Sequence, residues 1–163
     1  MTIPWQDPSE FKEVLRFFDQ VNNARSRELE PVREAAENIY LLFTEMKPFL
    51  DRACQFTCPG CVDNCCVRAT IWYDFQDLLY LYFGPVEMPE QQIQKNVVLS
   101  GNQCSQLGDQ GCKLVRQERP FICTWYFCPD QKTMSEYPHL AGLTEQIKNM
   151  RTKMEEAFYQ ITA

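Results

Sequence analysis

The segment from 54 to 66 reads Cys54-Gln-Phe-Thr-Cys58-Pro-Gly-Cys61-Val-Asp-Asn-Cys65-Cys66, so five of the chain's nine cysteines fall within thirteen residues. The Cys-x2-Cys spacing lets two sulfur atoms converge on one metal ion, and Pro-Gly between them is a turn signal. We expect no regular helix or strand over residues 54–68. In an extended backbone Cys65 and Cys66 would face opposite sides. They would then serve two centres, or supply one ligand and one structural thiol.

A second group of cysteines follows downstream, and it consists of Cys104, Cys112, Cys123 and Cys128. Two groups of cysteines suggest two four-sulfur centres, and they equally suggest one centre that draws ligands from both groups. The sequence leaves both options open, and it leaves Cys54 unassigned. The predicted metal ligands are Cys58, Cys61, Cys65, Cys66, Cys104, Cys112, Cys123 and Cys128.

The expected compartment decides how the cysteines are interpreted. The chain begins Met-Thr-Ile-Pro-Trp-Gln-Asp, with no basic region followed by an apolar one, and no apolar run approaches the ~20 residues of a membrane span. We therefore expect a cytoplasmic protein, in which thiols stay reduced and a high cysteine density indicates metal or redox chemistry. The alternatives are a disulfide scaffold, which an odd number of cysteines disfavours, and buried thiols without a ligand role.

Charge and histidine content narrow the function further. The formal net charge of -6 disfavours a nucleic-acid partner, which normally requires a basic patch. Because His139 is the only histidine, a site with two or three histidines within one chain is excluded. His139 itself is expected to be a solvated or capping residue. The donor set is therefore dominated by sulfur, which suits an iron–sulfur cluster slightly better than zinc.

Cations near the cysteines are predicted to stabilise such a site. Four thiolates around Zn²⁺ or a [4Fe–4S]²⁺ core leave a net charge of about -2, which requires N–H donors or cations nearby. Arg68, Lys113, Arg116 and Arg119 lie in or beside the cysteine segments. Arg119, four residues before Cys123, is the preferred candidate.

Two amphipathic stretches predict helices before the cysteine-rich segment. The first begins after an Asp7 cap, with Pro8 at its first position and Glu10 at its third. Its apolar stripe comprises Phe11, Val14, Leu15, Phe18 and Val21, and residues 22–30 are expected to form a connection. The second covers about residues 31–53, and Pro48 should kink it or remove one backbone hydrogen bond. Its stripe comprises Val32, Ala36, Ile39, Phe43, Met46, Leu50 and Ala53.

Two more helices are predicted downstream. A short one starts at Asp74, covers residues 75–83 and ends at Gly84-Pro85. Residues 85–100 are predicted to be a loop with a short strand at 97–99, and residues 107–111 a tight turn between extended pieces. A last helix covers about residues 140–161. Its apolar face comprises Leu140, Leu143, Ile147, Met150, Met154, Phe158 and Ile161.

These elements predict a mainly α fold: a small helical domain around an irregular cysteine-rich metal-binding core with little β structure. At 163 residues the chain is most simply one domain, 1–163. Its parts are the N-terminal helices (1–53), the cysteine-rich core (54–128) and the C-terminal helix (138–163). The apolar stripes form the helical core, which should hold the cysteine loops in register.

The cysteine pattern resembles the CxxCxxCC, or YkgJ-type, family of zinc- or iron-chelating domains. The matching pieces are Cys58-Pro-Gly-Cys61 with Cys65-Cys66, the stretch Ile71-Trp-Tyr-Asp74, and the series Cys104, Gly111-Cys112, Arg119-Pro120, Cys123 and Cys128. They cover residues 54–128. This chain has three residues before Cys65-Cys66 where the family has two, and it has the additional Cys54. The resemblance implies a zinc ion or an iron–sulfur cluster as the bound group.

Three functions follow as hypotheses. The first is a metal-centre protein that uses one or two clusters or zinc ions for structure, electron transfer or sensing. The second is an enzyme that modifies a protein side chain, because the flagellin lysine N-methylases carry a related cysteine domain with an iron–sulfur cluster and S-adenosylmethionine. The third is a non-catalytic interaction module whose helices dock a protein partner. Whether the chain is an enzyme stays open at this point.

Overall fold

The computed structural model describes residues 3–58, 61, 65–96, 103–109 and 111–163, with the backbone alone at 95, 96 and 103. The fold is mainly helical, as predicted. The helices are α1 (Pro8–Arg25), α2 (Glu30–Thr57), α3 (Cys65–Arg68), α4 (Phe75–Phe83), α5 (Ile122–Trp125), α6 (Pro129–Lys132) and α7 (Tyr137–Thr162). A 3-10 turn spans Arg116–Glu118.

Short antiparallel strand pairs account for the β structure of the described residues. Strand β1 (Lys95–Asn96) pairs with β2 (Gln103–Cys104), and β3 (Leu107–Gly108) pairs with β4 (Gly111–Cys112). The predicted extended pieces around residues 107–111 are thereby confirmed. Gly111 has a φ of 105°, a left-handed conformation that glycine adopts without steric cost. The strand predicted over residues 97–99 lies outside the described residues.

Helix α1 extends further than predicted. Its Asp7 cap accepts a hydrogen bond from the backbone N–H of Ser9 at 2.7 Å, as the sequence indicated. The connection expected over residues 22–30 is reduced to Ser26–Leu29, because residues 22–25 contain no glycine or proline that would end the helix. Leu29 in this short connection is completely buried.

Helix α2 corrects the prediction that residues 54–68 are irregular. The helix passes through Pro48 and ends only at Thr57, so Cys54 lies in its last turn. The Thr57 hydroxyl donates to the Ala53 carbonyl at 2.9 Å, and the Cys58 N–H donates to the Cys54 carbonyl at 2.9 Å. A second helical turn, α3, begins at Cys65. The Pro59-Gly60 turn lies outside the described residues.

The core is formed mainly by α2 and α7, which pack against each other, and by α4, which contacts both. The whole predicted stripe of α2 is buried. In α7 the predicted face is also buried, except that Met150 and Ile161 are half-buried at its edge. Burial of each large apolar side chain contributes about 1.5–3 kcal/mol. Helix α1 joins this core through Phe18, whose ring contacts those of Phe75, Tyr82, Phe83 and Phe158.

A buried arginine connects this helical core to the cysteine-rich region. Arg151 of α7 is 3% exposed; it contacts the Asp74 carboxylate at 2.7 Å and also pairs with Asp77. Asp74 and Asp77 form the reciprocal cap of α4. Asp77 accepts a hydrogen bond from the backbone N–H of Phe121 at 3.0 Å, and the Arg151 guanidinium lies 4.5 Å from the centroid of the Phe121 ring. Residues near Cys123 are therefore held against α4 and α7.

Gln92 makes a second connection between distant segments. Its side chain is 1% exposed, accepts from the backbone N–H of Tyr73 at 2.7 Å and donates to the Tyr73 carbonyl at 2.9 Å. The Tyr73 hydroxyl donates to the Glu118 carbonyl at 3.0 Å. The loop before α4 and the 3-10 turn are thereby joined. Within the described part of the chain, no helix has the length and apolar character that crossing a membrane requires.

Replacing Arg151 by methionine should lower the free energy of unfolding by about 3–5 kcal/mol, because it leaves the carboxylate of Asp77 buried without its cation. The measurement is urea denaturation followed by circular dichroism. The matched control is Lys148→Met on the same helix, whose exposed pair with Glu145 at 3.7 Å should contribute less than about 0.5 kcal/mol. Equal effects of the two variants would contradict the structural role of Arg151.

Candidate metal centre

All nine cysteines belong to the described residues, and all nine have free thiols. Helices and strand ends position most of them. Cys54 lies in the last turn of α2, Cys65 and Cys66 begin α3, and Cys123 lies in α5. Cys104 and Cys112 end the strands β2 and β4, and Cys128 caps α6. Cys58 and Cys61 follow α2 and are exposed.

The Cys54 sulfur receives hydrogen bonds from residues far away in the sequence. Nη2 of Arg116 lies 3.6 Å from this sulfur, and Nε2 of Gln131 lies 3.7 Å from it. The thiol of Cys58 is hydrogen-bonded to the same sulfur. Three donors thus surround a single sulfur atom, an arrangement that favours a thiolate. Sequence reasoning left Cys54 unassigned because its neighbours lie in other segments.

The pKa values of Cys54 and Cys58 shift in opposite directions, which favours the thiolate at Cys54 and the thiol at Cys58. The hydrogen bond with Cys58 lowers the pKa of Cys54 to about 5, and the charge of Arg116 lowers it further against the opposing effect of burial. The same hydrogen bond raises the pKa of Cys58 above its ordinary value, and burial acts in the same direction. The hydrogen bond therefore shifts the pKa values of the two thiols in opposite directions.

Arg116 is a cation in direct contact with the Cys54 sulfur. Its side chain is 3% exposed, and its Nη2 also lies 3.0 Å from Oδ1 of Asp51. The Nε of Arg116 is buried and has no hydrogen-bond partner among the residues that the structure describes. Arg119, the cation preferred from the sequence, donates from Nε to the Leu114 carbonyl at 3.0 Å. The charge of Arg119 nevertheless helps to lower the pKa of Cys54, and it opposes the rise in the pKa of Cys123.

Gln131 connects Cys128 to Cys54. Cys128 caps α6, and Pro129 occupies the first helical position. The backbone N–H of Cys128 donates to Oε1 of Gln131 at 3.2 Å, and the Cys128 sulfur accepts from the Gln131 backbone N–H. The Nε2 of Gln131 donates to Cys54 and also to the Thr57 hydroxyl at 3.3 Å. The end of the second cysteine group therefore lies beside the start of the first.

A further set of thiols surrounds Cys123. Burial raises the pKa of Cys123 to about 12, and the charges of Cys112 and Cys104 raise it further. Burial also raises the pKa of Cys104, which is 7% exposed. The thiol of Cys66 interacts electrostatically with Cys123 and Cys112, and helix α3 packs against strand β2. Cys66 is thus close to the second cysteine group.

Cys65 and Cys66 do not point in opposite directions. The prediction assumed an extended backbone, but the two residues begin a helical turn, and their thiols are hydrogen-bonded to each other. This hydrogen bond lowers the pKa of Cys65 to about 6 and raises the pKa of Cys66 above its ordinary value. The charge of Cys54 also acts on Cys65.

In the described part of the chain, no three Cys, His, Asp or Glu side chains converge in the arrangement of a metal site. The thiols meet in hydrogen-bonded pairs, Cys54 with Cys58 and Cys65 with Cys66. His139 takes no part in these contacts, because its Nε2 lies 3.3 Å from Glu45 and its ring packs edge-on against Phe49. The candidate donors are therefore sulfur atoms, supported by one buried guanidinium and by amide N–H groups.

Comparison of the chain with protein-family models, with curated proteins and with solved structures finds no match. The resemblance to the CxxCxxCC family stays a prediction.

In the reduced, chelator-treated protein, the order of alkylation should follow the solvent exposure and the pKa of each thiol. Cys65 is exposed and has a lowered pKa, so it should react with iodoacetamide at pH 7 well before Cys104 and Cys123, whose pKa values burial raises. Mass spectrometry of quenched time points measures the order. In denaturant all nine thiols should react at similar rates. Early labelling of Cys104 in the native protein would contradict the structure.

Proposed function

We propose that the chain is a metal-binding protein that holds an iron–sulfur cluster or zinc through cysteine thiolates. The observation that carries the proposal is the environment of Cys54, whose sulfur accepts N–H donors from Arg116 and Gln131. A thiolate ligand in a metal centre needs such donors, because they offset the negative charge of the assembled thiolates.

The donor set is consistent with either group. Both zinc and [4Fe–4S] clusters are bound by four cysteine thiolates, and the nine free thiols exceed this requirement. The buried charge of Arg116 would offset part of the net charge of about -2 that either centre carries. A sulfur-only donor set favours an iron–sulfur cluster, which would supply one-electron transfer or redox sensing, whereas zinc would supply structural cross-linking.

Assembly of a centre must bring together thiols that do not converge in threes among the described residues. Two pairs already exist, Cys54 with Cys58 at the end of α2 and Cys65 with Cys66 at the start of α3. Both α2 and α7 remain packed, because their buried stripes face away from the solvent. Metal binding would then displace the protons that the ligating thiols carry and release them to solvent.

The decisive experiment is anaerobic purification of the protein expressed with iron and zinc both available, followed by iron, acid-labile sulfide and zinc analysis. We expect either iron with equimolar sulfide and a brown colour, or zinc without sulfide. The apoprotein, reduced and stripped with a chelator, serves as the control. A natively folded protein that takes up neither metal, before or after anaerobic reconstitution, would contradict the proposed function.

Arg116→Met should weaken metal binding about 10- to 100-fold, because the variant removes a buried cation that contacts the Cys54 sulfur. Affinity is measured by chelator competition, and helical content by circular dichroism. Arg52→Met is the matched control on α2, since its contact with Glu136 at 3.6 Å is exposed. The same affinity for both variants would argue against a role for Arg116 at the centre.

A further inference from the structure

The 3-10 turn that carries Arg116 lies against a polar face of α2. The side chains of this face recur every three or four residues along the helix: Thr44, Lys47, Asp51 and Cys54. From the turn, Arg116 reaches Asp51 and Cys54. The next residue, Gln117, reaches Thr44. We propose that Gln117 is a positioning residue for the metal centre: by holding the turn on Thr44, it keeps Arg116 on the Cys54 sulfur.

The turn does not fix its own position. It has three residues, and Val115, which precedes it, makes no side-chain cap and is exposed. Hydrogen-bond geometry in a 3-10 segment is poorer than in an α-helix, so such segments are used in short pieces beside other elements. Contacts with the rest of the chain therefore decide where the turn lies.

Arg116 in particular needs a fixed backbone. Its guanidinium is buried, and its Nε has no hydrogen-bond partner among the residues that the structure describes. Exposure to water would hydrate this N–H and would restore the rotamer freedom of a long side chain. Both effects favour an arginine that swings away from Cys54. The contacts that hold the turn against α2 oppose them.

Gln117 and Thr44 make their contact at the opposite end of the polar face from Cys54. The Gln117 side chain is buried, and its Nε2 donates to the Thr44 hydroxyl at 3.2 Å. That hydroxyl donates in turn to the Tyr40 carbonyl at 2.9 Å, so its own helix orients it. Thr44 and Cys54 are separated by about 15 Å along α2. The turn is therefore attached to the helix at two distant points, which fix its direction as well as its distance.

A third contact holds the turn from outside α2. The Tyr73 side chain is buried, and its hydroxyl donates to the Glu118 carbonyl at 3.0 Å. Gln92 bonds both the backbone N–H and the carbonyl of Tyr73, so this anchor is itself held. The contact fixes the last residue of the turn, whereas Gln117 fixes the middle residue against α2.

The inference rests on the proposed metal-binding function, and a double-mutant cycle tests it. The Zn²⁺ affinity of the reduced apoprotein is measured anaerobically by chelator competition. Gln117→Leu and Thr44→Val should each weaken binding about 3- to 10-fold, the effect of one lost hydrogen bond. In an Arg116→Met background the same changes should alter the affinity less than about twofold, because the side chain that they position is gone.

Two controls separate positioning from general packing. Thr44→Ser keeps the hydroxyl that accepts from Gln117, and it should retain wild-type affinity. Thr144→Val on α7 removes a hydroxyl that, like that of Thr44, donates to the carbonyl four residues earlier, here Leu140 at 2.8 Å. This variant should also retain wild-type affinity. Equal losses from Gln117→Leu in the wild-type and Arg116→Met backgrounds would overturn the inference, since the effect would not pass through Arg116.

A measurement on the metal-free protein separates this inference from the proposed function. The buried Nε–H of Arg116 should exchange slowly with water, which ¹⁵N NMR follows on the signal that Arg116→Met lacks. Exchange should be about 3- to 10-fold faster in Gln117→Leu and Thr44→Val, and unchanged in Thr144→Val. Unchanged exchange in Gln117→Leu would contradict the inference. A wild type with a protected Arg116 signal that takes up neither zinc nor a cluster would contradict the proposed function and leave the positioning of Arg116 intact.

Discussion

The buried guanidinium of Arg151 is the interaction on which the arrangement of this protein depends. A charge that is 3% exposed is tolerated only when carboxylates and hydrogen bonds compensate it, since an unpaired buried ion costs several kcal/mol. Asp74 and Asp77 provide the compensation, and in doing so they start α4. Because Asp77 also binds the backbone N–H of Phe121, one buried charge orients α4, α7 and the segment that carries Cys123.

Arg116 is a second buried cation that needs compensating partners, and it lies at the cysteine-rich end of α2. Its charge is also buried, and its compensation is divided between the Asp51 carboxylate and the Cys54 sulfur. Arg116 therefore pairs with a sulfur atom as well as with a carboxylate. The sulfur that it contacts belongs to Cys54, whose pKa is lowered to about 5. The hydrogen bond with Cys58 makes the largest contribution to this lowered pKa, and the charge of Arg116 adds to it. A strongly shifted pKa with specific partners is typical of a functional site.

The helical frame explains how small irregular segments hold so many thiols. The strands that carry Cys104 and Cys112 have two residues each. The helices that contain Cys65 and Cys123, and the helix that Cys128 caps, have four residues each. Such short elements are not stable alone. Helix α6 contacts α2, α5 contacts α7, and α3 packs against β2. Metal ions bound to the thiols would add cross-links between these short elements.

The sequence by itself determined the local elements. Apolar residues at helical spacing located the long helices, and the cap at Asp74 and the break at Gly84 located α4. The single histidine excluded sites with two or three histidines within one chain. Only the tertiary structure decided that α2 continues through Cys54, that Cys65 and Cys66 share a hydrogen bond, and that Arg116 rather than Arg119 contacts sulfur. Periodicity and capping act within a few residues, whereas the contact of Arg116 with Cys54 spans 62 positions and exists only once the helices have packed.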